Sequence, residues 1–172
     1  MAEIVGLGAS RIVLSVELTT DEMIAVSAPW SGSGFDAIIY GRPEGMTIEH
    51  CVLSAAFDRE PTTCRDLCVR DHPDVGLTDP AGYSFSVATD SACRNRLLHS
   101  RPIEASEFVP RLWRAGLRSY RLLFNVRHER VGDLTRSYRA FRDAIDAGSR
   151  PVGSPRELVR SAFTRGHFAR AV

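Results

Sequence analysis

The sequence predicts an α/β protein whose βα pattern is interrupted by a cysteine-bearing insertion. Three observations carry that reading. A strand, a helix and a second strand follow one another in residues 11–40, the order of a parallel βαβ unit. A further strand at 120–124 leads into a strongly periodic helix at 132–147. Between these segments lie all four cysteines of the chain, Cys51, Cys64, Cys68 and Cys93, in a stretch where the pattern changes to short strands and turns.

Arg11-Ile-Val-Leu-Ser15 is a short apolar run that reads as a buried strand. The helix over 19–28 opens on a capping box, Thr19-x-x-Glu22, in which a hydroxyl and a carboxylate satisfy each other's backbone N–H groups. Pro29, Gly32 and Gly34 end it, and Phe35-Asp-Ala-Ile-Ile-Tyr40 is the second strand. In the insertion, Asp79-Pro-Ala-Gly82 reads as a turn and Tyr83-Ser-Phe-Ser-Val87 as the returning strand of a hairpin, since Tyr83, Phe85 and Val87 alternate as on a half-buried strand. Residues 95–99 add a short strand. A helix is expected over 104–115, then the strand Tyr120-Arg-Leu-Leu-Phe124. The helix at 132–147 is the clearest, because Leu134, Tyr138, Phe141 and Ile145 recur at three and four residues and Gly148 is a natural stop. Ser154-Pro155-Arg156-Glu157 joins a cap, a first-turn proline and a capping-box glutamate, so it opens a last helix. Thr164-Arg-Gly-His-Phe168 follows no regular period.

The chain has 172 residues, 44% hydrophobic and 25% charged, enough for one domain with a sizeable core. No apolar run approaches a membrane span and no signal peptide precedes Ala2, so the cytoplasm is the expected compartment. All 22 basic residues are arginine. The net charge of +1 conceals a polarity: residues 1–93 hold 5 arginines and 14 acids, residues 94–172 hold 17 arginines and 7 acids. Either the halves attract each other, or the basic half meets an anionic partner such as RNA. Solvated helix faces account for much of such a bias.

In a reducing compartment, clustered cysteines are more often metal ligands or catalytic groups than disulfides. Four thiolates suit a tetrahedral zinc or an iron–sulfur cluster. Cys64 and Cys68 are spaced as ligand pairs often are, whereas Cys51 and Cys93 have no near partner and must be gathered by the fold.

Several segments form an ordered series: Leu7-Gly-Ala-Ser-Arg-Ile-Val-Leu-Ser15 with Glu17-Leu18, Ile39-Tyr-Gly-Arg42, Glu49-His-Cys-Val-Leu-Ser54, Leu77-Thr-Asp79, Gly82-Tyr-Ser-Phe85 and Asp90-x-x-Cys93-Arg94. Ala115-Gly116, Tyr120-Arg121, Tyr138-Arg139 and Thr164-Arg-Gly-His-Phe168 complete it. Together they resemble the U-32 peptidase family, the collagenase-like proteins of unassigned catalytic type. The resemblance implies the later part of a TIM-type βα barrel with a cysteine-bearing insertion containing a β-hairpin. It divides the chain into a partial barrel at 1–45, the insertion at 46–100, and the final βα units with the tail at 101–172, within one structural domain. It also implies a 4Fe–4S cluster on Cys51, Cys64, Cys68 and Cys93, with zinc as the alternative. This chain departs from the commonest family signature, a Gly-x-Cys soon after the first cysteine, where Ala55-Ala-Phe-Asp58 stands instead. The match covers only the later half of such proteins, and a barrel of this kind needs eight strands to close.

The function implied is oxygen-independent hydroxylation of RNA bases or of a quinone precursor. The alternatives are a collagenase-like endopeptidase, and a non-catalytic half-barrel that pairs with a complementary N-terminal half or with another copy of itself. Glu49 and His50, beside Cys51, and His167, in a turn that Gly166 permits, are candidate acid–base groups, each with an ordinary surface or packing role as its alternative. His72, His99 and His128 have no supporting constellation. The sequence shows no Ser/His/Asp arrangement, no phosphate-cradling glycine loop and no HExxH, so a peptidase has no visible nucleophile.

Overall fold

The computed structural model describes residues 2–58, 60, 64, 67–127, 129–159 and 162–170; His128 lies outside them. In chain order the elements are α1 (Ala2–Gly6), β1 (Ile12–Val13), α2 (Thr20–Ser27), β2 (Phe35–Gly41), β3 (Glu44–Ile48), α3 (Val52–Ala56), α4 (Leu67–Arg70) and β4 (Gly76–Thr78). They continue with β5 (Ser84–Thr89), β6 (Asn95–Leu98), β7 (Ile103–Glu104), α5 (Val109–Arg114), β8 (Ser119–Leu122) and α6 (Val131–Asp146). The chain is mixed α/β and divides into two compact units, residues 42–100 and the remainder.

The larger unit is built on β2. Phe35, Ala37, Ile39 and Tyr40 are all buried, the near-continuous apolar run of a strand covered on both faces. β2 pairs parallel with β1 on one side and parallel with β8 on the other, and its end pairs antiparallel with β7. Among the described residues this sheet has four strands and does not close into a barrel. The capping box of α2 is present in full: the Glu22 N–H donates to Thr19 Oγ1 at 3.2 Å, and the Thr19 N–H to Glu22 Oε2 at 2.8 Å. Met23, Leu112 and Leu117 are fully buried, each stabilising the unit by about 1.5–3 kcal/mol. Gly32 and Gly116 approach backbone to backbone, both at positive φ, and a Cβ on either would collide with the other segment.

α6 buries Leu134 and Tyr138 and half-buries Phe141 and Ile145, and stops where Gly148 turns to positive φ. The helix expected over 104–115 starts later. Glu104 is drawn into β7, opposite Tyr40, and the α-helix begins at Val109 after a single 3₁₀ turn. The capping box at Ser154 also forms, with Glu157 reaching back to the Ser154 N–H at 3.2 Å, but it closes only a 3₁₀ turn, Pro155–Leu158. The aperiodic tail is tied down by backbone. The Thr164 N–H donates to Pro102 O and the Glu104 N–H to Thr164 O, both at 2.9 Å. Phe168 is buried against Phe108, and its carbonyl accepts the Thr20 hydroxyl at 2.7 Å.

The buried carboxylates Asp36 and Glu104 of this unit are both paired. Glu104 is fully buried, yet its carboxylate accepts from Arg156 Nε, the Tyr138 hydroxyl and the Ser106 N–H, each at 3.0 Å. Asp36 is gripped by Arg11 Nε at 2.7 Å and Arg121 Nε at 2.9 Å. Burial alone would raise this carboxyl, but hydrogen bonds from Arg11, Ser119 and Arg121 outweigh it and hold Asp36 at about 2.

Residues 42–100 form a second, antiparallel sheet in the order β3-β6-β5-β4. The predicted hairpin is β4–β5, closed where the Tyr83 N–H donates to Asp79 Oδ1 at 2.9 Å. β3 was not apparent in the sequence; four of its five residues are exposed, and it is held as a strand by β6, with Arg96 bonded to Glu44 at 2.7 Å.

Candidate metal centre

Three segments of the smaller unit bring all four cysteines to one cavity of about 350 Å³. Cys51 is the residue before α3, Cys64 and Cys68 flank and enter α4, and Cys93 lies in the turn between β5 and β6. All four are thiols rather than disulfides. Leu53, Leu67 and Val69 supply apolar lining, and Ser54 and Thr89 the polar part. Among the described residues, no three His, Cys, Asp or Glu side chains stand close enough together to hold a single metal ion.

Each thiol has a local reason for its place. Cys51 stands at the position before the first turn of α3, without a capping hydrogen bond to its sulfur. Burial would raise this thiol, but the Ser54 hydroxyl, the Ser54 and Leu53 N–H groups and the Asn95 amide outweigh it, and the net effect favours thiolate. The contact from Ser54 falls short of a full hydrogen bond: Ser54 is 4% exposed, lines the cavity, and its Oγ has no partner of proper geometry. Cys93 has φ of 61°, in the left-handed region where glycine is the default. The turn holds it there by an Asp90 carboxylate that accepts the Ala92 N–H at 2.9 Å, the Arg94 N–H at 3.1 Å and Arg94 Nε at 2.9 Å. A non-glycine residue kept at positive φ costs about 1 kcal/mol or more, a cost that points to a use for the side chain. Phe57, just beyond α3, stacks on His72, just beyond α4, with ring centroids 4.1 Å apart, and so ties the Cys51 segment to that of Cys68.

The sequence matches the family model of peptidase family U32 over residues 3–169. The chain belongs to that family. Comparison with curated proteins and with solved structures gives no significant match.

The remaining candidates of this U32 chain are dispersed. Glu49 and His50 are exposed beside Cys51, with Glu49 in electrostatic reach of Arg94. His167 belongs to the larger unit and is half-buried in the tail turn, its carbonyl accepting the Arg170 N–H at 3.1 Å. No described helix is long and apolar enough to cross a membrane. Sequence reasoning did not mark Asn95, Ser54 or Asp90 as site residues. Asp90 had a usable signal, an Asp three residues before a cysteine in a turn; Ser54 and Asn95 are polar residues in ordinary element positions.

Proposed function

We propose that this U32 chain holds a 4Fe–4S cluster on Cys51, Cys64, Cys68 and Cys93 and serves oxygen-independent hydroxylation of RNA bases or a quinone precursor. The observation that carries the proposal is one cavity lined by all four thiols. Its orphaned, buried Ser54 hydroxyl supplies a donor for a sulfur-rich, negatively charged occupant. Zinc on the same four thiolates is the alternative occupant. When bound, such a cluster supplies one-electron chemistry.

The protein's own residues have separable tasks in this reading. The first-turn N–H groups of α3 and the Asn95 amide favour the Cys51 thiolate, and the Asp90 turn presents Cys93. Glu49 and His50 are placed to exchange protons with solvent beside the site, and His167 is a third candidate, from the tail. The surplus of arginine supports an anionic substrate, though folding moderates it. Residues 42–100 carry 6 arginines and 9 acids, the rest of the chain 16 and 12.

The open parallel order β1-β2-β8 also favours a second reading of the larger unit, as the later part of a TIM-type barrel that further strands complete, from an N-terminal half or another copy. Purification without oxygen tests the main proposal. Iron and sulfide in equal amounts with visible absorbance, lost on replacing any one of the four cysteines by serine, is the expected result. Colourless protein carrying stoichiometric zinc would overturn it.

A further inference from the structure

Asn95 has no exposed surface, and its side chain bonds two other segments. Its Oδ1 accepts the Val52 N–H at 2.7 Å, the first helical N–H after Cys51. Its Nδ2 donates to Thr89 Oγ1 at 3.2 Å, across the ladder where Thr89 and Asn95 are direct partners. An asparagine offers two donors and a two-lone-pair acceptor, so one side chain can bond α3 and β5 at once. Asn95 is itself two residues beyond Cys93, on the strand that leaves the Cys93 turn. That turn is closed by the Asp90 carboxylate and by backbone bonds between Asp90 and both Cys93 and Arg94.

We propose that Asn95 is a positioning residue: through one buried amide it locks the start of α3, and with it Cys51, to the β5–β6 hairpin that carries Cys93, fixing the separation of two thiols far apart in sequence. The inference rests on the reading of the four cysteines as one ligand set and goes beyond it, by assigning the geometry of that set to a residue that is not a ligand. The mechanism is a single rigid body made from two segments. Without the amide, the Val52 N–H loses this acceptor.

Three substitutions separate the possibilities. Asn95→Leu removes every polar contact. Asn95→Asp keeps the acceptor for Val52 and loses both donors. Thr89→Val, the mildest, removes only the anchor on β5 and keeps the fold testable should Asn95→Leu fail to fold. Two readouts apply to the full-length chain. In metal-free protein, a short bifunctional thiol reagent bridges Cys51 to Cys93, and peptide mass spectrometry quantifies the bridge. In protein reconstituted with iron and sulfide, chelator challenge gives cluster lifetime, and electron paramagnetic resonance with redox titration gives its signature.

Bridging is expected to fall roughly tenfold in Asn95→Leu, which removes the acceptor for Val52, with total alkylation of the four thiols unchanged, and to fall less in Asn95→Asp and Thr89→Val, which keep that acceptor. Iron retention should drop about 10–100-fold in Asn95→Leu, with a shifted resonance and potential. Wild-type bridging and an unshifted resonance in a folded Asn95→Leu protein, or in Thr89→Val should Asn95→Leu fail to fold, would overturn the proposal. Bridging that depends on Asn95 in a wild-type chain that takes up no iron would leave the positioning role standing and sink the ligand reading.

Discussion

The two units of this chain are held together by different means. The larger one has a continuous apolar core, with Leu14, Met23, Phe35, Ile39, Leu112, Leu117 and Phe168 all buried, and its buried charges meet partners, as at Asp36 and Glu104. In residues 42–100 the buried described residues are Cys51, Leu53, Ser54, Asn95 and Leu98, of which one is a thiol and two are polar. Met46, Val69, Leu77 and Tyr83 stand exposed. A segment below about 70–80 residues rarely sustains itself on its core and needs a staple such as a metal. The comparison teaches that the four thiols are placed where hydrophobic burial runs out. The cofactor reading is therefore also a claim about what folds the smaller unit.

The largest expected effect breaks the comparison at that point. Withholding iron and sulfide, or making Cys51→Ser, should collapse hydrogen-exchange protection across residues 76–98 at least roughly a hundredfold, because ligand free energy is folding free energy in such a unit. Protection of 35–41 and 134–145 should hold. Unchanged protection in both regions would show that the smaller unit stands on its own sheet.

The next effect is confined to the larger unit. Glu104→Leu leaves the buried Tyr138 hydroxyl without its carboxylate, while Arg156, one-third exposed, keeps Glu107, and a loss of about 1–3 kcal/mol is expected. It should appear as a lowered denaturation midpoint of the larger unit, with the visible spectrum of loaded protein retained. A midpoint within error of wild type would mean the buried network contributes nothing net.

What could be read from the sequence follows the range of the interaction. Thr19 and Glu22 form their box because both partners lie within one turn, and the α6 stripe is visible because its period is local. β3 was illegible, since Glu44-Gly-Met-Thr-Ile48 has no alternation of its own and is a strand only because β6 lies beside it. Glu104 read as helical, but its strand geometry comes from Tyr40, far away in sequence, and from the ion pair with Arg156. Ser154 and Glu157 did cap a turn, yet no apolar period follows to extend it. At the site, the cysteines stood out by rarity. Asn95 did not, because an amide at the start of a strand is unremarkable until the fold brings Val52 and Thr89 to it.

A pH titration sharpens the comparison further. Asp36 ionises at about 2 in the fold against an ordinary value of 3.8. Its folded value is depressed, so its stabilisation is complete above about pH 4 and is lost as pH falls from there through about 2. The guanidinium groups that hold it are half-exposed, which screens them, and the contribution is on the order of 1–2 kcal/mol. Asp36→Asn should lower stability at pH 7 by that amount and flatten the acid limb of the larger unit. An acid limb of unchanged slope would assign the loss to other carboxylates.

The smallest effect concerns the charge polarity of the sequence. Arg111 pairs with Asp21 across the chain's acidic and basic halves, but both side chains are mostly exposed, 52% and 75%. Such pairs contribute about 0–1 kcal/mol, less in salt. Arg111→Ala should therefore shift the midpoint only slightly, and 0.5 M salt should abolish the difference. Arg121, which meets the buried Asp36, should cost more when removed and resist salt better, because a shielded partner is screened less. If the two variants respond alike, attraction between the halves acts as a diffuse field. If they differ in this order, one acidic residue on β2, and not the −9 and +10 of the sequence halves, is where that attraction is anchored.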